Sequence, residues 1–184
     1  MTAPSTHWVF GYGSLIWRPG FDYLRKSTAL LRGAHRRLCI YSHRHRGTPE
    51  QPGLVFGLVR GGSCRGMAFE VDPAQWDQTH AYLAEREMDR GVYLEAHRPV
   101  QLDDGRSVTA LTFLVDMQHV QYAGRLDVAE QLRLVRSGVG ESGANPEYVL
   151  ETARHLEALG IRDRYLADLV TALNGTDLPV IESA

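Results

Sequence analysis

Cysteine, net charge and long apolar runs are all scarce in this chain, and each shortage excludes something. Only two of the 184 residues are cysteine, Cys39 and Cys64. Both sit in apolar, strand-like runs, so reduced core thiols of a cytosolic protein are expected in preference to a disulfide. The formal net charge of −2 argues against nucleic acid or an anionic membrane surface as the main partner. No apolar run approaches the roughly 20 residues that a membrane-spanning helix needs. The opening residues, MTAPSTHW, have neither the basic stretch nor the apolar core of a secretory signal. A soluble, cytoplasmic protein is expected. Internal repeats and low-complexity tracts are lacking as well.

What is present suffices for one sizeable core. With 43% hydrophobic and 23% charged residues over this length, a single domain is expected. The first two-thirds read mainly as strands, at His7–Phe10, Ala29–Leu31, Leu38–Ser42, Leu54–Val59, Arg65–Val71, Tyr93–Leu102 and Ser107–Asp116. Asp103–Asp104–Gly105 supplies a tight turn between the last two. A helix is predicted from Pro73 to Arg90, capped by Asp72 and ended by Gly91. The last third reads as three helices. One runs from a capping box at Asp127 and Glu130 to Ser137. The second starts at Asn145–Pro146 and ends at Gly160, and the third runs from a cap at Asp163 to about Leu173. The tail from Asn174 to Ala184 is expected to be extended or frayed. Strands followed by helices predict an α+β fold, with helices against a curled sheet.

Within the predicted helix 73–90, one carboxylate is out of place. At about 100° per residue, Trp76, His80 and Leu83 share a stripe that Glu87 continues, whereas Glu85 lies almost opposite. Glu85 and Arg86 therefore read as ordinary solvated charge, and Glu87 points toward the core or a cleft. A carboxylate on an apolar face can pair with an internal cation, sit where the stripe meets water, or be held for proton transfer. Desolvation would raise its pKa toward the range a general base needs near pH 7.

The segment HWVFGYGSLIW (7–17) carries the second anomaly. Amides in the glycine-bearing turn Gly11–Tyr12–Gly13–Ser14–Leu15 can converge on an anion, and glycine admits a ligand close to the backbone. A tight turn with Tyr12 and Leu15 packed inward explains the composition equally well. The pattern does not complete a dinucleotide-binding fingerprint. Nor is it a nucleophile elbow around Ser14, since leucine stands where the last glycine is needed. His35, His43 and His45 lie near one another, but no cysteine or carboxylate at ligand spacing completes a metal set. Arg36, Arg37, Arg44 and Arg46 form a small cluster able to bind a carboxylate.

Four segments, in order, resemble the ChaC-like γ-glutamylcyclotransferases. They are VFGYGSLIWRPGF, RGTPEQPG (46–53), REMDRGVYL (86–94) and ESGANPEYVLE (141–151), and the resemblance spans roughly residues 7–173. It is closest to the bacterial branch. It implies the γ-glutamylcyclotransferase-like fold, a small mixed or antiparallel barrel-like sheet with flanking helices. It also implies cleavage of glutathione to 5-oxoproline and Cys-Gly, with Glu87 as the catalytic carboxylate and Tyr12, Gly13, Ser14 and Leu15 holding the γ-glutamyl group. Arg46 is the candidate for charge contact with substrate, and Tyr148 either lines the pocket or packs. The implied reaction needs no metal or organic cofactor and has a small-molecule partner, glutathione. Eukaryotic members tend to carry an acidic residue in place of Ser42 and a tyrosine in place of Phe113, so substrate anchoring is expected to differ. Two other readings remain: a cyclotransferase for other γ-glutamyl peptides or amines, and a non-catalytic γ-glutamyl-binding module.

Overall fold

A computed structural model of the protein describes residues 6–88 and 91–175. Five strands close into a barrel. They are β1 (His7–Gly11), β2 (Arg25–Ser42), β3 (Gly53–Val71), β4 (Tyr93–Leu102) and β5 (Ser107–Val115), in the order β1-β3-β2-β4-β5. Antiparallel ladders join these neighbours, and parallel bridges Val9↔Leu111 and Leu58↔Leu114 complete the closure. Two two-residue strands, β6 (Val139–Gly140) and β7 (Gly143–Ala144), form a separate hairpin. The helices are α1 (Trp76–Met88), α2 (Val128–Ser137), α3 (Asn145–Ala158) and α4 (Arg164–Asn174).

The four strands expected between residues 29 and 71 are two long ones. β2 and β3 run continuously for 18 and 19 residues, far beyond the usual five or six. They stay in one barrel by bending. At Gly33 and at Gly61–Gly62 the register jumps from Arg32↔Ser63 to Ala34↔Arg60, and all three glycines have positive φ. These glycines fall in the gaps between the expected strands, whereas in the structure they are bulges inside paired strands.

Asp72 accepts from the Ala74 amide and opens a short 3-10 turn at Pro73–Gln75 that leads into α1. Helix α1 is described as far as Met88, so the last two residues of the expected helix lie outside the described residues. Asp127 caps α2 through the Glu130 amide. The Glu130 side chain does not return the bond and pairs with Arg133 instead, so only half of the predicted capping box forms. Asp163 caps α4 as expected. Asn174 ends α4, and the expected tail over 176–184 lies outside the described residues.

Side chains at successive strand positions face opposite ways, and β1 uses both faces. Trp8 and Phe10 join the large core with Leu58, Phe69 and residues of α2, α3 and α4. Val9 joins a second cluster with Leu15, Leu111, Phe113 and Leu83 of α1. The helix bearing Glu87 thus has its own apolar seat, separate from the C-terminal helices. Cys39 and Cys64 are both free and buried, in separate clusters. No helix among the described residues is long and apolar enough to cross a membrane.

Candidate active site

β3 has a stretch where side chains replace a neighbouring strand. Asn145, fully buried at the start of α3, accepts from the Leu54 amide at 2.7 Å and donates to the Leu54 carbonyl at 2.8 Å. Two residues on, the Phe56 amide donates to the Tyr148 hydroxyl at 3.2 Å, and the Tyr93 hydroxyl donates to the Phe56 carbonyl at 3.0 Å. Asn145 was expected as part of the helix start. The position before α3 is Ala144, which makes no side-chain cap, and Asn145 spends its amide group on the strand. Buried backbone groups must be paired, and this pairing fixes Tyr148 and Tyr93 on one side of β3.

The glycine turn meets these tyrosines. After Gly11 the chain enters a single 3-10 turn, Ser14–Ile16, closed by the Ile16 amide on the Gly13 carbonyl. Its first amides, of Ser14 and Leu15, find no acceptor among the described residues, as is usual for donors at a helical start. A Cβ on Gly13 would lie 3.8 Å from the Tyr148 hydroxyl. Tyr12 is buried beside Tyr93. The buried Arg36 holds the Tyr12 carbonyl at 2.6 Å and the Arg65 carbonyl at 2.7 Å, and pairs with the Asp163 carboxylate. Arg36 is therefore internal scaffolding and not a free member of the arginine cluster.

Glu87 faces this group with 17% of its side chain exposed. Burial pushes its pKa above the ordinary carboxylate range, partly offset by the Arg86 guanidinium, 3.4 Å away. Its charge in turn helps to raise the pKa of Tyr12, Tyr93 and Tyr148, although burial is the larger cause in each. Tyr148 is pushed up to about 12. All three phenols are thus neutral donors at pH 7 around a carboxylate whose ionised form is disfavoured by desolvation.

Arg86 does not occupy the solvated face expected of it. Thr79 and Leu83, rather than Trp76 and His80, are the fully buried positions of α1. That rotates the inward face so that Arg86 and Glu87 flank it. Arg86 donates to Ser14 Oγ at 2.9 Å, the Tyr82 hydroxyl at 2.8 Å, and the Arg18 and Pro19 carbonyls at 2.7 and 3.2 Å. Ser14 Oγ thus accepts from a guanidinium, which cannot take its proton. Trp76 stacks on His7, and the half-exposed His80 pairs with Glu95 at 2.9 Å.

The remaining predicted positions divide. Arg46 stacks over the Tyr148 ring at 5.3 Å and donates to the Ala144 carbonyl at 3.1 Å, with no carboxylate within 4.0 Å among the described residues. Ser42 is buried, and its hydroxyl accepts from the Arg46 amide at 2.9 Å, so it supports Arg46. Leu15 and Phe113 pack together in the α1 cluster, leaving only the Leu15 backbone for a ligand. Arg44 pairs with Glu141. The histidines are engaged separately: His35 with the Gly61 carbonyl, His45 with Ser142, and His43 against Tyr41. Two surface clefts of about 210 and 280 Å³ lie around Arg65 and Arg162, and Arg36 lines the larger of the two.

Tyr12, Gly13, Glu87, Arg46 and Tyr148 are therefore brought together, with Ser14 and the Leu15 amide at the edge. Tyr93, the loop contacts of Arg86 and the scaffold role of Arg36 were not anticipated. Tyr93 had a legible signal, opening an alternating strand just beyond Gly91. Arg36 had none, because its partner Asp163 is 127 positions away.

The ChaC-like protein family matches residues 7–176. The glutathione-specific γ-glutamylcyclotransferase of Escherichia coli is 34% identical over 90% of this chain and 72% of its own length. The glutathione-specific γ-glutamylcyclotransferase 1 of Danio rerio is 33% identical over 98% and 95%. Among solved structures, a glutathione-specific γ-glutamylcyclotransferase from yeast superposes with a TM-score of 0.84 at 23% identity, over 92% of this chain and 96% of that one. This last likeness shows the fold.

Proposed function

The chain belongs to the ChaC-like family, and from that premise we infer that it is a glutathione-specific γ-glutamylcyclotransferase releasing 5-oxoproline and Cys-Gly, with Glu87 moving the proton. The observation that carries the assignment is a single one. Glu87 is largely buried, with a raised pKa, among three neutral phenols beside a glycine turn.

The substrate supplies its own nucleophile. The α-amine of the γ-glutamyl group attacks its own δ-carbonyl, forming the ring C–N bond and breaking the bond to the cysteinyl nitrogen. The amine arrives as an ammonium near pH 7 and must first lose a proton. Glu87 accepts it and returns it to the departing Cys-Gly nitrogen, and the second proton that the ring nitrogen sheds after attack passes by the same carboxylate and leaves on Cys-Gly as its ammonium. The raised pKa suits both steps, because the group is a stronger base than an exposed carboxylate and a competent acid once protonated.

Ring closure also demands a folded glutamyl conformer. The amides of Gly13, Ser14 and Leu15 receive the α-carboxylate, and Tyr12 packs behind it, which converts binding into orientation. The Tyr148 oxygen accepts from Phe56, so its own proton is free to donate to the tetrahedral oxyanion. Arg46, stacked on that tyrosine, offers its remaining donors to a carboxylate of the leaving half.

Purified protein incubated with glutathione, γ-Glu-Ala and γ-glutamyl-lysine, with 5-oxoproline read by mass spectrometry, tests the substrate assignment. Turnover of glutathione well above the other two supports it. Preference for γ-glutamyl-lysine would transfer the assignment to γ-glutamyl amines.

A further inference from the structure

We propose that Arg86 is a positioning residue for this cyclisation, its guanidinium latching the loop that receives the γ-glutamyl group to the helix that carries Glu87. The proposal rests on the reading of Glu87 as the proton-transfer group. Three of the four acceptors bound by Arg86 belong to the segment 14–19: Ser14 Oγ, the Arg18 carbonyl and the Pro19 carbonyl. The fourth is Tyr82, one turn back on α1, and Nε faces the Glu87 carboxylate at 3.4 Å.

The loop meets the latch with no slack. Gly20 has φ +76°, and a Cβ there would lie 2.0 Å from the Tyr82 hydroxyl. Glycine is required both by the conformation and by the approach. Only 21% of the Arg86 side chain is exposed, unlike an arginine that merely solvates a helix face. A lysine could keep the charge but not the fork, since its single ammonium cannot span acceptors on two elements in the same geometry.

Four groups face Glu87 from the elements packed around it: Arg86 of α1 acts on its carboxylate, and Tyr12 beyond β1, Tyr93 of β4 and Tyr148 of α3 feel its charge. Among the described residues Arg86 is the one cation of the set. Charge and fork therefore separate experimentally. Arg86→Lys should leave the acid limb of the kcat/KM–pH profile in place while KM for glutathione rises about tenfold, the worth of a lost charged hydrogen bond. Arg86→Met should move the acid limb to higher pH and lower kcat/KM at pH 7 by about 100-fold, as for a misplaced reacting group.

Wild-type KM and an unmoved acid limb in Arg86→Met would overturn the role. So would identical behaviour of the two variants. If Arg86→Met does not fold, a cycle of Ser14→Ala with Arg86→Lys decides: a double variant no worse than Arg86→Lys supports the latch, and fully additive losses overturn it. Glu87→Gln is assayed alongside. Full activity there overturns the proton-transfer assignment whatever Arg86 does, whereas an inactive Glu87→Gln with a wild-type-like Arg86→Met overturns the latch alone.

Discussion

At position 87 the protein holds a carboxylate where folding alone would place an apolar side chain, and burial raises its pKa. Two consequences follow from the sign of that shift. Activity needs the ionised form, so kcat/KM should fall as pH drops through a value above the ordinary Glu range, and a pH–rate profile reads it directly. Stability runs the other way. A group whose pKa is raised on folding favours the fold below its unfolded pKa, and loses that contribution as pH rises through the folded value. Glu87→Gln should therefore melt higher than wild type at pH 7–8, with the difference vanishing below about pH 4.5. Thermal scans at both pH values check this, and a variant less stable at pH 8 would contradict the burial argument. Helical spacing made Glu87 visible in the sequence. The same spacing, centred on Trp76 and His80, put Arg86 in solvent. Period arithmetic gives relative angles only, and it is the packing of Thr79 and Leu83 that sets which way the helix is turned.

Among the elements, the strand edge at Leu54 and Phe56 matters most to the site, because side chains stand there in place of a partner strand. Asn145→Ala would leave both the amide and the carbonyl of Leu54 buried and unpaired. That should cost about 2–4 kcal/mol in a urea titration, and 5-oxoproline formation should fall because α3 carries Tyr148. A loss below about 0.5 kcal/mol would show that the pairing does not hold the helix. The turn at Asp103–Gly105 and the caps at Asp72, Asp127 and Asp163 were legible because each bond closes within three residues or so. The role of Asn145 was not. Its type and place before proline suit a helix start, and the competing demand of the Leu54 backbone comes from 91 positions away.

Across the whole molecule, barrel closure gathers Tyr12, Arg46, Glu87, Tyr93 and Tyr148 from distant parts of the chain. Arg36 ties that gathering to the C-terminal helices through Tyr12, Arg65 and Asp163. Replacing it with methionine leaves the Asp163 carboxylate without its buried partner, a change that typically costs about 3–5 kcal/mol. A fall in chemical stability of that order, with KM for glutathione raised through the freed Tyr12 carbonyl, is expected. Unchanged KM would detach Arg36 from the site. The α+β class was readable from element order, but the strand order was not. Bulges at Gly33 and Gly61–Gly62 keep β2 and β3 continuous, and closure depends on cross-strand pairing that one-dimensional spacing does not encode. The central claim is that Glu87 carries the proton between the two nitrogens. The rate of 5-oxoproline release from glutathione by Glu87→Gln, measured by mass spectrometry on protein that melts cooperatively, tests it most directly. The rate should drop by about 10²–10⁴-fold, and near-wild-type release would contradict the claim.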